Sequence, residues 1–317
     1  MTAFVALLTR EGLEHRIFAW APLAILALLV VATLIGLAVF GSAHTNIHFS
    51  SEFTTQQGNE RIHEEVERDS SIAELAEFNG LTDRELATRM DVFRVGVAWP
   101  FKVVYFLIVI FVLLGGIHDE RKDRSILFWK SMPVSDLDSI ASKILLAVWI
   151  APLATVAALI LAQIFLLIVI SGVAIAEDLG DVGRLWWQSG LFKGAAQQLV
   201  GYFIQGFWAL PLYGWLLLVS ATASKSPVMW ASLVPFVPVL LEKLLFGTSI
   251  ITAGIFNHLK FAALPSLGQA EDGQIGDLTT LGDQVALFAT TDLWVGVILG
   301  MAFLYAAVYC RGRLNEI

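Results

Sequence analysis

The chain has 317 residues, of which 57% are hydrophobic and 15% charged, with a mean hydropathy of +0.72. Soluble domains carry about 25% charged residues. The two soluble domains that this length would permit are therefore excluded, as is a soluble enzyme domain beside the apolar runs. A formal charge of −8 is spread unevenly along the chain and helps to orient it.

Residues 1–19 alternate apolar residues such as Phe4, Leu8, Leu13 and Phe18 with Arg10, Glu11, Glu14, His15 and Arg16. That pattern suits a helix lying in a membrane interface. Six apolar runs follow, at about Trp20–Gly41, Val97–Ile117, Ile144–Gly172, Leu199–Ala223, Val228–Phe246 and Leu293–Cys310. A hydrocarbon core of about 30 Å needs about 20 helical residues, and lipid offers a backbone amide no partner, so each run is expected to span as a helix. The first run exceeds a signal-peptide core and reads as a retained anchor. The expected fold is all-α, a polytopic membrane protein of six transmembrane helices forming one domain over 1–317.

Between the first two runs lies the polar insertion 42–96, expected to sit outside the membrane as short helices. Ser71–Glu74 and Thr82–Glu85 have the spacing of capping boxes, and the second predicts a helix running into the next span at Pro100. His44 and His48 would share a helix face as a metal pair does, without a third ligand at motif spacing. Pro152, Pro211, Pro235 and Pro238 each remove a backbone donor and predict kinks. Ser226-Pro227 reads as an N-cap followed by proline at the first helical position. Glu242 and Lys243, near one end of the fifth run, are candidates for a gate or substrate contact, because charge inside a membrane is costly. Both also fit snorkelling to the interface, as does Lys102. Residues 248–291 contain two apolar stretches too short to span, Ile250–Phe256 and Phe261–Leu264, expected as a partly membrane-embedded pair of helices.

Six spans put both termini on one side. That side holds ten Lys and Arg, nearly all close to span ends; the other holds eight basic and nineteen acidic residues. The positive-inside rule places the termini and loop 118–143 in the cytoplasm. Cys310 is the single cysteine, so an intrachain disulfide and a structural cysteine metal site are excluded.

Loop 118–143 opens with His118-Asp119-Glu120-Arg121-Lys122-Asp123-Arg124-Ser125-Ile126-Leu127 and continues through Phe128-Trp129-Lys130-Ser131 to Met132-Pro133-Val134-Ser135. It reads as a short interfacial helix with a charged end exposed to a partner. Ser135-Asp136-Leu137-Asp138 then approximates a capping box that leads into the third span. This stretch resembles the first intracellular loop of ABC-2 type transporter permeases, with their Glu-Arg-Lys/Glu-x-x-x-Ile/Leu stretch, aromatic-rich turn and Leu/Met-Pro-Val/Ile-Ser segment. Beyond the loop, the resemblance covers the chain as layout: an N-terminal elbow helix, six spans, and an embedded segment between the last two. It implies a transmembrane exporter subunit of a bacterial-type inner membrane. Its partners would be a second permease subunit, membrane lipid and separate ABC ATPase subunits that hold ATP and Mg, with no nucleic acid. The loop would be a coupling helix in which Glu120, Arg121, Arg124, Phe128 and Trp129 contact the ATPase.

The chain contains no Gly-x-x-x-x-Gly-Lys-Ser/Thr phosphate cradle, so no cofactor is expected on it and the subunit is not expected to be an enzyme. Two further readings compete. A secondary transporter requires ionisable residues near the midplane and paired broken helices; a membrane scaffold or sensor requires neither.

Overall fold

A computed structural model of the chain describes residues 3–40, 47–57, 60–70, 80–126, 134–261, 263–264, 267–269, 275–278 and 280–313. The chain is predominantly helical. Its helices are α1 (Ala3–Glu14), α2 (Ile17–Phe40), α3 (Asp83–Gly115), α4 (His118–Lys122), α5 (Asp136–Leu145), α6 (Ala151–Ala176), α7 (Val182–Gln188), α8 (Leu191–Trp208), α9 (Leu210–Thr222), α10 (Pro227–Leu245), α11 (Ile250–Leu259), α12 (Leu281–Ala286) and α13 (Thr291–Arg313). Among the described residues, five stretches are long and apolar enough to cross a membrane, and six if the bent pair ending in α8 and α9 counts as one span. The chain is thus a polytopic membrane protein. Two compact units divide it: one formed by 1–24, 98–159 and 192–317, the other by 25–97 and 160–191.

In the first unit the expected kinks have local causes. Between α8 and α9 the chain bends by 56°, where Pro211 enters the first turn of α9 and lacks the N–H that would have continued α8. Before Pro152, residues Leu146–Ile150 form a π turn in which the Ala151 N–H donates to Leu146 O. The next donor in line for the Ala147 carbonyl would be Pro152, which has none. The Tyr105 hydroxyl donates to it instead, at 2.9 Å. Pro235 and Pro238 are carried inside α10 without a break. Helices α9 and α13 meet through glycines, since a Cβ at Gly214 would lie 2.6 Å from Gly300 O; small residues let membrane helices approach this closely.

Glutamines tie the segment after α10 to α8. Gln205 Nε2 donates to Lys260 O at 3.0 Å, and Gln205 Oε1 accepts from the Ala263 N–H. Gln284 Nε2 donates to Gln197 O and Ala263 O at 3.0 and 2.8 Å. Of the expected pair of short helices here, α11 forms, whereas the Leu264 N–H donates to Phe261 O and Ala263 and Leu264 are fully buried. Lys102, expected at an interface, is buried.

In the second unit, α3 starts with the expected capping box. The Thr82 N–H donates to Glu85 Oε2 at 2.7 Å, and the Glu85 N–H donates back to Thr82 Oγ1 at 3.3 Å. Leu86 and Met90 pack with Leu167, Ala174 and Leu185 in a local core. The rest of the insertion departs from expectation. Strands β1 (Ile47–Gln57) and β2 (Glu60–Ser70) form an antiparallel hairpin, with Gln57 opposite Glu60, where helices were expected. The signal was present in the sequence: Gly58-Asn59 is a two-residue hairpin loop composition, and Ile47, Phe49 and Phe53 recur at even spacing. The Ser71–Glu74 box lies outside the described residues. A second short pair, β3 (Leu267–Gln269) and β4 (Ile275–Leu278), is antiparallel.

Candidate functional site at the charged helix ends

Helix α4 has only five residues, and no side chain of its own caps it. Neighbouring segments hold it instead. The Ser220 hydroxyl of α9 accepts from the Ile117 and His118 N–H groups at 2.9 and 3.0 Å. In return, Arg121 Nη1 donates to the Ala221 and Ala223 carbonyls at 2.9 and 3.0 Å, and a ring nitrogen of His118 lies 3.2 Å from Ala223 O. The N-terminus of one helix and the C-terminus of the other thus satisfy each other's orphan groups.

Behind this joint lies a buried ionic cluster. Lys143 Nζ of α5 donates to Glu120 Oε1 of α4 at 3.0 Å and to Glu11 Oε1 of α1 at 2.8 Å. Arg311 of α13 donates through Nη2 to Glu120 Oε2 at 3.2 Å and through Nη1 to Asp136 Oδ1 at 2.6 Å. Arg10 Nη1 stands 4.0 Å from both Glu11 and Glu120, and His15 Nε2 stands 3.6 Å from Glu11. Glu11, Glu120, Lys143 and Arg311 are at most 5% exposed. Arg10 also pairs with Glu14 at 2.8 Å, so four carboxylates (Glu11, Glu14, Glu120, Asp136) meet three cations (Arg10, Lys143, Arg311). Gly116 makes room for this arrangement, because a Cβ there would lie 3.1 Å from the Lys143 Cδ. Four segments distant in sequence are fastened to one carboxylate and its neighbours, so α4 cannot shift without moving α1, α5 and α13.

This corrects one part of the sequence reading. Glu120 is not at an exposed docking end: its carboxylate is consumed inside the protein, and Arg121 is half-buried against α9. The exposed end of α4 is Lys122, Asp123 and Arg124. Arg124 has φ 57°, a left-handed conformation uncommon for a residue with a Cβ, and it turns the chain out of the helix. Phe128 and Trp129 lie outside the described residues. The capping box of α5 forms as expected, with the Asp138 N–H donating to Ser135 Oγ at 3.1 Å and the Ser135 N–H donating to Asp138 Oδ2 at 3.2 Å.

No family model matches this chain, and neither a curated protein nor a solved structure does.

Glu242 and Lys243 separate as adjacent helical residues must. Lys243 is exposed, whereas Glu242 is buried and turned onto the start of α11. Its carboxylate accepts from the N–H groups of Ile250, Ile251 and Thr252 and from the Thr248 hydroxyl at 3.0 Å. An anion at a helix N-terminus meets both the unpaired amides and the positive end of the macrodipole. Glu242 is thereby a clamp between α10 and α11, with its oxygens already occupied. Helix α11 is held at its other end as well: Trp208 Nε1 donates to Asn257 O at 2.9 Å, and a His258 ring nitrogen lies 3.0 Å from Trp208 O. Among the described residues no group of three His, Cys, Asp or Glu is placed to hold a metal ion.

The partners Glu11, Asp136, Ser220, Lys143 and Arg311 were not singled out from sequence. Lys and Arg beside a span end normally read as interface anchors, and nothing local distinguishes the two that turn inward.

Proposed function

We propose that this chain is the membrane-embedded permease subunit of an ATP-binding cassette exporter in a bacterial-type inner membrane. It acts with a second permease subunit and with separate ATPase subunits that bind ATP and Mg. Its termini and the 118–143 loop face the cytoplasm, α1 lies as an elbow helix in the inner interface, and the loop receives the motion of the ATPase. The observation that carries this reading is the buried bonding of α4 to α1, α5, α9 and α13. A lever needs a rigid joint, and here a push on the exposed Lys122–Arg124 end reaches four helices through ion pairs and caps rather than through a flexible connection. The residue order of the loop, from Glu120-Arg121-Lys122 to Met132-Pro133-Val134-Ser135, supports the same reading by its resemblance to ABC-2 permeases. In it, Glu120 is a positioning residue, Arg124, Phe128 and Trp129 face the ATPase, and Arg121 fixes α4 on α9.

The test is co-purification. The tagged chain, extracted in mild detergent from its native membrane, is expected to bring down a chain with a phosphate cradle, and to hydrolyse ATP only with it. Phe128→Ala or Trp129→Ala should weaken that association about tenfold or more, as at an aromatic interface anchor, while membrane insertion is retained. Hydrolysis by the isolated chain, or wild-type association and transport in both variants, refutes the assignment. Orientation is read separately, in a Cys310→Ser background, by impermeant labelling of Glu67→Cys, Ser131→Cys and Asn315→Cys in intact cells; labelling at position 131 overturns it.

A further inference from the structure

We infer that the cleft between α9 and α10 is a binding site for one anionic phospholipid, its phosphate at Arg121 and Lys225 and an acyl chain between the two helices. The cleft has a volume of about 360 Å³ and is lined by Trp215, Leu218, Val219, Ala223, Trp230 and Val234, with Thr222 and Ser224 at its polar end. That size is within the usual range of ligand pockets, about 300–1,000 Å³. Trp215 Nε1 is already donated to Ala231 O at 3.2 Å, so the ring offers the cleft an apolar face. Trp230 and Val234 are exposed on α10, together with Leu233, Phe236 and Val237, on a helix apolar enough to cross the bilayer. The occupant that such a surface meets is lipid.

The polar end selects its charge. Ala223, a lining residue, accepts from Arg121 Nη1, which also serves Ala221. Both bonds use one nitrogen, which leaves Nε and Nη2 without an acceptor among the described residues. In contrast to Arg10 and Arg311, Arg121 meets no carboxylate among the described residues. His118 approaches the same carbonyl, and Lys225 is exposed on the turn that joins the two helices. A guanidinium fork with Nε and Nη2 unengaged among the described residues is matched to a phosphate, and basic pockets between membrane helices recognise anionic headgroups. The amphipathic Trp rings belong at headgroup depth. The observations therefore favour a lipid with a net negative headgroup over a zwitterionic one, and over a soluble phosphate, which makes no use of the apolar cleft.

The inference is independent of the transport reading and is tested without an ATPase. The full chain is purified in detergent, and lipid adducts are counted by native mass spectrometry as phosphatidylglycerol or phosphatidylcholine of identical chains is titrated. One phosphatidylglycerol is expected to be retained about tenfold more tightly than phosphatidylcholine, corresponding to about 1.4 kcal/mol. Arg121→Gln, and separately the exposed changes Lys225→Gln and Ser224→Glu, should each reduce that preference. Leu218→Trp, which fills the cleft, should remove the retained lipid of either kind. Glycerophosphoglycerol without acyl chains should not compete. Equal retention of the two lipids, an unchanged preference in Lys225→Gln and Ser224→Glu, or full competition by the chain-free headgroup overturns the proposal. The two surface variants keep the test decisive should Arg121→Gln not fold.

Discussion

Glu120 and Glu242 are both buried carboxylates at helix ends, and they are neutralised by opposite means. Glu120 is held by full charges, the Lys143 ammonium and the Arg311 guanidinium, delivered by helices remote in sequence. Glu242 is held by backbone, the N–H groups that open α11 and one hydroxyl. An ion pair in a low-dielectric site depends on every member, because removing one leaves the others charged and unpaired. A helix N-terminus depends less on its anion, since water or another acceptor substitutes at the orphan amides. The first arrangement is suited to a rigid joint and the second to a local latch. Substitution should separate them.

The largest effect is expected at the joint. Glu120→Gln keeps the shape and removes the carboxylate that Lys143 and Arg311 share, leaving Lys143 with Glu11 and Arg311 with Asp136 as remaining partners, with an expected cost of about 3–5 kcal/mol. Denaturant unfolding in detergent measures it. A second change, Lys143→Met, should restore part of the loss, because a buried cation that has lost the shared carboxylate is then removed and the two sites are directly coupled. A loss for Glu120→Gln no larger than for an exposed substitution, or a double variant that is merely additive, would show that the cluster is hydrated and does not bind the helices together.

At Glu242 the expected consequence is local. Glu242→Gln retains an acceptor and loses the charge–dipole attraction. The amides of Ile250, Ile251 and Thr252 should exchange with solvent about tenfold faster or more, while those of α9 and α13 keep wild-type protection. Global loss of protection would make Glu242 a member of the core rather than a clamp. Unchanged exchange at 250–252 would mean that the amides are satisfied without it.

The comparison also explains what the sequence made legible. Apolar runs, the breaks at Pro152 and Pro211 and the capping boxes at Thr82 and Ser135 are carried by residues within a few positions of one another and appear in the fold where the spacing put them, whereas Pro235 and Pro238 lie inside α10 without a break. Ser226-Pro227 was half legible: Pro227 opens α10, yet the Ser226 side chain makes no capping bond. Glu242 stands out in the sequence as a costly charge and Glu120 as part of a charged loop end, but the partners of neither do. Glu11 and Lys143 are 132 positions apart, and Glu120 and Arg311 are 191 apart, so no local pattern links them. The groups that hold Glu242 are backbone amides, which every sequence possesses. The hairpin 47–70 was missed for a different reason. The capping-box spacings at Ser71 and Thr82 are the stronger local signal in the insertion, and the turn composition Gly58-Asn59 lies outside their reach.

The smallest effect tests whether the joint owes its precision to the start of α5. Ser135 and Asp138 cap that helix reciprocally, and Asp136 between them is the residue that Arg311 grips at 2.6 Å. The box is exposed, unlike the cluster behind it. Ser135→Ala therefore should cost only about 1 kcal/mol of stability, the usual worth of an N-cap side chain, and should leave the Lys143–Glu120 pair intact. Its distinctive consequence is positional. With the first turn of α5 frayed, Asp136 is no longer held against Arg311, and amides 136–139 should exchange faster while those of α4 do not. Ser135→Asp supplies an equivalent capping oxygen and should restore both stability and protection. If Ser135→Ala instead loses several kcal/mol, or exposes α4 together with α5, then the cap and the ion cluster form one cooperative structure, and the division between a rigid buried joint and a replaceable local cap fails at the place where the two lie closest.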